Sequence, residues 1–167
     1  MRRTLILSLA VLITGCAPTM IPLSVAPADV NVASAMLGPG TSTIKGSAFM
    51  RKPNGEVVTC AGSDVFLIPA TPSASSEMHR VFGGDKGYLE RGADPIVGGG
   101  KVVVSPEPNR KSVCNALGFF TFANARAGKW YVITTVLWTL QDQPQGGTML
   151  GNAEVADGQE IEIVISQ

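Results

Sequence analysis

Alternation of apolar and polar positions is clearest over residues 113–136, VCNALGFFTFANARAGKWYVITTV, where Phe120 and Phe122 flank Thr121, a polar bend closes at Gly128, and a second apolar run opens at Trp130. A period of two marks a half-buried strand. The stretch therefore predicts two strands, the second over 130–138, joined as a β-hairpin at the heart of a small sandwich. The second run is apolar on both faces, as a central strand is. Upstream, STIKGSAFM, the turn Lys52-Pro53-Asn54-Gly55 and EVVTCAG predict a hairpin of 43–50 against 56–60, because Asn-Gly tolerates positive φ. DVFLIPA at 64–70 predicts a strand that is central up to Leu67 and ended or bent by Pro69. Downstream, QDQPQGG turns the chain, and strands at 148–156 and 160–166 close the sheet across Asp157-Gly158. In the last of these Ile161, Ile163 and Ile165 share one face, with Glu160, Glu162 and Ser166 on the other.

The one helix expected lies inside a long insertion at 72–110. Met78, Val81 and Phe82 fall three and four residues apart, Ser73 to Ser76 can cap the start, and Gly83-Gly84 stops the run. A helix of about two turns does not hold its shape alone. It is expected to lie on the sandwich with Phe82 as its plug. Gly98-Gly99-Gly100 then forms a joint before a short Val-rich strand at 101–105. The insertion is longer than a sandwich requires, which makes it a place for binding. Residues 16–41 carry Pro18, Pro22, Pro27 and Pro39 and read as a flexible tether, with an edge strand at 25–32 as the alternative.

Of the 167 residues, this leaves 42–167 for a single domain. Nineteen glycines and eleven prolines against six per cent aromatic residues fit an all-β domain with many turns and few large core side chains. Formal net charge is zero, and loss of Arg2 and Arg3 with a leader makes the mature chain about two charges negative. Without a basic stripe, nucleic acid is not an expected partner.

The chain opens MRRTLILSLAVLITGC. Its apolar run is too short to span a bilayer as a permanent helix. Ile13-Thr14-Gly15-Cys16 resembles the lipobox of bacterial lipoproteins. That resemblance implies a signal peptide at 1–15, diacylglycerol on the Cys16 thiol and an N-acyl chain such as palmitate on its amine. Each buried CH₂ then contributes about 0.8 kcal/mol to membrane attachment. Ala17 stands where an aspartate commonly retains such proteins on the inner membrane. The resemblance thus implies the outer membrane, facing the periplasm. No cofactor is expected beyond this covalent lipid.

Gly46, the Asn54-Gly55 turn, Ala61-Gly62-x-x-Val65, Gly118-Phe119-Phe120 and Gly128-x-Trp130-Tyr131-x-Val resemble the carboxypeptidase regulatory-like, transthyretin-like module. The likeness spans 43–167, interrupted by the insertion. It implies a Greek-key, transthyretin/prealbumin-like β-sandwich, here with one short helix in the insertion. Cys114-Asn115 stands where many members carry Thr-Asp, and Asn keeps the side-chain-to-backbone turn bond. The motifs are turn glycines and core aromatics, so they specify a fold and no activity.

Once Cys16 is acylated, Cys60 and Cys114 form an even pair in an oxidising compartment and are candidates for a disulfide, against the alternative of two separate buried thiols. His79, the single histidine, excludes sites built on several imidazoles. It reads as a solvated helix residue, and service to a nucleophile among Ser73, Ser75 and Ser76 lacks an evident oxyanion loop. Gly98-Gly99-Gly100-Lys101 has Pro95 and Val102 where a phosphate loop needs glycine and a hydroxyl. Asp85, Glu90 and Asp94 lack the ligand spacing of a calcium loop. No catalytic or metal-ligating residues are assigned. Alternation puts Trp130 and Trp138 on one face and Tyr131 on the other, so at least one face is core, and Trp138 is the candidate ligand-facing aromatic.

These readings describe a non-catalytic, lipid-anchored envelope protein acting as a structural or protein-interaction module. The alternative is a module binding carbohydrate, either peptidoglycan or polysaccharide. A hydrolase requires a cleft that brings His79 to a serine and a carboxylate.

Overall fold

The computed structural model describes residues 29–91 and 109–167. The leader, Cys16, the Gly98-Gly99-Gly100 joint, Asp94 and the strand expected at 101–105 lie outside them. The described chain runs α1 (Val30–Leu37), β1 (Ser42–Arg51), β2 (Val57–Thr59), β3 (Asp64–Pro69), α2 (Pro72–Phe82), β4 (Gly87–Glu90), β5 (Arg110–Val113), β6 (Phe119–Ala125), β7 (Gly128–Leu140), β8 (Gln143–Val155) and β9 (Glu160–Ser166). Two sheets stack as a sandwich. One has β1 at its centre, pairing with β2, β6 and β9; the other has the order β4-β8-β7-β3-β5.

The expected first hairpin is present: β1 meets β2 with Phe49 opposite Thr59 and Arg51 opposite Val57. Gly55 at φ 87° makes the reversal. β3 lies between β7 and β5, as its apolar run requires, and ends at Pro69.

The hairpin placed at the heart of the sandwich is not one. β6 pairs with β1 and β7 with β3 and β8, so the bend before Gly128 carries the chain from one sheet to the other. Burial explains the crossing. Phe120 and Phe122 on β6 and Trp130 and Val132 on β7 all enter one core, and they reach it from opposite layers. The same holds at Asp157-Gly158, where β8 leaves one sheet and β9 joins the other, parallel to β1 from Thr43 opposite Glu160 to Phe49 opposite Ser166. The true long hairpin is β7 with β8, and Gln141 and Asp142 at φ 49° and 60° form its tip. QDQPQGG is therefore mostly strand.

β7 has two buried faces. Trp130, Val132 and Val136 pack into the inter-sheet core with Ile44, Leu67, Met149 and Ile165. Tyr131 and Ile133 join Ile68 and Leu150 on the outer face, where Ala74 and Met78 of α2 cover them. Met78 is fully buried, so it and not Phe82 is the plug. Thr71, not a serine, caps α2: its hydroxyl accepts the Ala74 N–H, Pro72 occupies the first turn, and Gly83 at φ 80° closes the helix.

A second helix, α1, lies in the stretch read as tether. Ala33 is buried and Met36 and Leu37 pack on the core. The Asp29 carboxylate accepts the Ser73 N–H at 2.7 Å. The Ser73 side-chain and main-chain hydrogen bonds hold the Asp29 pKa below its ordinary value. The chain entering the domain is thereby tied to the start of α2.

Cys60 and Cys114 are bridged, with Cα atoms 5.8 Å apart. Cys60 follows β2 in one sheet and Cys114 follows β5 in the other, so the bond joins the layers at one end of the sandwich.

Candidate binding site

α2 lies on the outer face of β7 with Met78 inward, which directs Ser75 and His79, one turn apart, along its flank. Gly83 and Gly84 then turn the chain so that Asp85 comes back beside them. Asp85 Oδ1 lies 2.9 Å from His79 Nε2 and 2.6 Å from the Tyr131 hydroxyl, which in turn lies 3.1 Å from Ser75 Oγ. An ionised carboxylate only accepts, so Nε2–H and the phenol both donate to it. The phenol has one proton, and Ser75 must therefore donate to the phenol oxygen.

The titration of these groups follows from those bonds. The Tyr131 hydrogen bond, then the His79 one, hold the Asp85 pKa below its ordinary value. Burial, and next the Asp85 hydrogen bond, push that of Tyr131 up. For Asp85 the folded-state pKa is the depressed one, so its contribution to stability is present above the ordinary carboxylate value and is lost as pH falls through the folded value. Tyr131 has the opposite sense, with its contribution lost as pH rises past the ordinary phenol range.

The network borders a cleft of about 450 Å³ whose floor is the outer face of β7 and β8, with Lys129, Tyr131, Asn152 and Glu154 beside Ser75, His79 and Asp85. Lys129 Nζ is 3.8 Å from Glu154 Oε2, with both side chains 71% exposed. A pair so exposed contributes little stability and is available to a ligand. The wall is polar, and its central acceptor is held in place by two donors.

Of the residues singled out in the sequence, His79, Ser75 and Asp85 do come together. The hydrogen bonds run from Ser75 to Tyr131 to Asp85 and from His79 to Asp85. In a Ser-His-acid triad the imidazole stands between hydroxyl and carboxylate, whereas here the carboxylate stands between phenol and imidazole. Tyr131 was expected only as a core or platform aromatic, and its bridging role had no local signal. Trp138 is not part of the cleft. It sits seven residues along β7 from Tyr131, roughly 24 Å at strand rise, half-buried with the Lys52 ammonium 5.7 Å from its ring centroid. Among the described residues, no group of three or more His, Cys, Asp or Glu side chains is placed to hold a metal ion.

No family model and no curated protein matches the chain. Among solved structures, the fold is similar to a Pseudomonas aeruginosa protein described as a candidate carbohydrate-binding protein, with a TM-score of 0.66 and 20% identity over 85% of this chain and 97% of that one. A chlorocatechol 1,2-dioxygenase from Pseudomonas putida aligns at a TM-score of 0.30 and 12% identity, over 93% of this chain and 69% of that one, too distant to bear on fold or function.

Proposed function

We propose that the chain is a lipid-anchored binding module of the cell envelope, attached to the outer membrane through Cys16, whose sandwich takes a carbohydrate in the cleft beside α2 without transforming it. The cleft carries this reading. Carboxylates, an amide, an ammonium, an imidazole and a phenol surround one space of about 450 Å³, a size suited to one small ligand. Hydroxyl-rich ligands donate and accept at every position, and such a mixed wall can meet both demands. The likeness in fold to a protein described as a candidate carbohydrate-binding protein supports the same direction.

Binding without catalysis is supported by the order of the hydrogen bonds, since the Ser75 hydroxyl is engaged by Tyr131 and not by His79. The structural or protein-interaction role expected from the sequence rests on sequence features alone, while the carbohydrate role has the cleft in its support. Kinship with the carboxypeptidase regulatory-like module belongs to this proposal too. The glycines and aromatics that suggest it, Gly118, Phe120, Gly128 and Trp130 among them, occupy turns and core.

Two measurements test the reading. The mature protein is expected to be retained on purified sacculi, and the double variant Tyr131→Phe/Asn152→Ala to lose about tenfold in affinity or more, the equivalent of one or two good polar contacts. Equal retention of both proteins, or of neither, contradicts the cleft. Cys16→Ala is expected to leave the membrane fraction, and a variant that still sediments unchanged with membranes contradicts the anchor.

A further inference from the structure

We infer that the cleft beside α2 is one end of a longer groove crossing β8 to the free edge of β9, and that its ligand is an oligosaccharide chain and not a single sugar. This rests on the carbohydrate reading above and adds the length of the ligand to it. A second cleft of about 490 Å³ is lined by Lys86, Gly87, Gly151, Asn152, Ser166 and Gln167, among others. Asn152 borders both spaces, and the consecutive residues Asp85 and Lys86 border one each. Either space alone has the size of a site for one small ligand. Joined across Asn152 they accommodate a chain. The distance from β7 over β8 to β9 is roughly 15 Å, from strand spacing near 4.8 Å and sheet spacing near 10 Å.

The far end has polar groups of its own. The Gln159 carbonyl accepts from Thr43, and Gln167 both donates to Phe49 and accepts from Arg51. Main-chain groups alternate in direction along a strand, so the odd-numbered residues of β9 face β1. Glu160, Glu162, Val164 and Ser166 then direct their N–H and C=O groups the other way. Among the described residues no strand takes up that edge, and main-chain polar groups of this kind require a partner in water or ligand. Gly151 seats β9 there: a Cβ on it would lie 2.8 Å from Ile165 Cγ1, so the isoleucine fills the place of the missing side chain. Glutamates at two of the four outward positions disfavour the addition of a protein strand. They do not hinder a sugar chain, which bonds the edge one hydroxyl at a time.

Glycan strands freed of peptide and sized as disaccharide, tetrasaccharide and hexasaccharide, titrated calorimetrically into the full mature protein in detergent, test the inference. The tetrasaccharide is expected to bind about tenfold or more tighter than the disaccharide. Ser166→Trp, placed at the β9 end, and Lys86→Ala, an exposed position outside the core, are each expected to reduce that gain. Disaccharide binding with no increase at greater length overturns the groove and leaves the cleft standing. A gain that survives both variants also overturns it. Absence of binding at every length removes the groove and the carbohydrate reading together.

Discussion

The double variant Cys60→Ala/Cys114→Ala is expected to lose about 4 kcal/mol of unfolding free energy, read as a fall in the urea midpoint with little change in slope. The bond joins residues 54 apart in sequence. Removing it returns the closure entropy of that loop to the unfolded chain. Position adds to the effect. Cys60 directly follows the short β2 and Cys114 directly follows the short β5, each strand at the margin of its sheet, and the bridge ties the two layers covalently. Both residues are buried, at 0% and 2% exposure, so the alanines also leave small voids. In a thermal scan the same loss corresponds to roughly 12–20 °C for a domain of this size. A fall of less than about 1 kcal/mol would show that the unfolded chain is already compact across this loop, and the entropic account would not apply.

Strand positions were legible because a half-buried strand must alternate, and most of the expected strands are found. Strand partners were not legible. Adjacent strands joined by a short polar bend usually pair, and on that rule β6 and β7 form a hairpin. They fall in different sheets because Phe120 and Phe122 must meet Trp130 and Val132 face to face across a core, and not side by side in one layer. Nothing local distinguishes the two outcomes. The parallel placement of β9 against β1 depends in the same way on contacts more than a hundred residues apart. α1 had a signal that the proline spacing obscured: Ala33, Met36 and Leu37 fall at helical intervals between Pro27 and Pro39. The candidate site was half legible. Ser75, His79 and Asp85 are close in sequence, but the residue that unites Ser75 with Asp85 is Tyr131, 46 residues beyond Asp85. Between Trp130 and the run Val132-Ile133 a tyrosine reads as core. Its ring is core, and its hydroxyl meets Asp85 at the cleft wall.

Trp130→Ala is expected to cost about 3–5 kcal/mol, the range for emptying a large buried aromatic site that cannot collapse. Trp130 is fully buried and is the largest such side chain in the described core. It stands on the inner face of β7 between Pro69 of β3 and Ala153 of β8, so both neighbouring strands fix the backbone around the void. Its indole N–H also donates to the Arg126 carbonyl at 3.1 Å, within the segment that carries the chain from the β6 sheet to the β7 sheet. The indole thus fills the core and holds the crossover in one step. Trp130→Phe separates these roles, because it keeps an aromatic ring and removes the donor, and its cost is expected to be nearer 1–2 kcal/mol. Chemical denaturation of the two variants measures both values. Equal losses would mean that the hydrogen bond to the crossover, and not the volume of the ring, is what secures β7 against the opposite sheet.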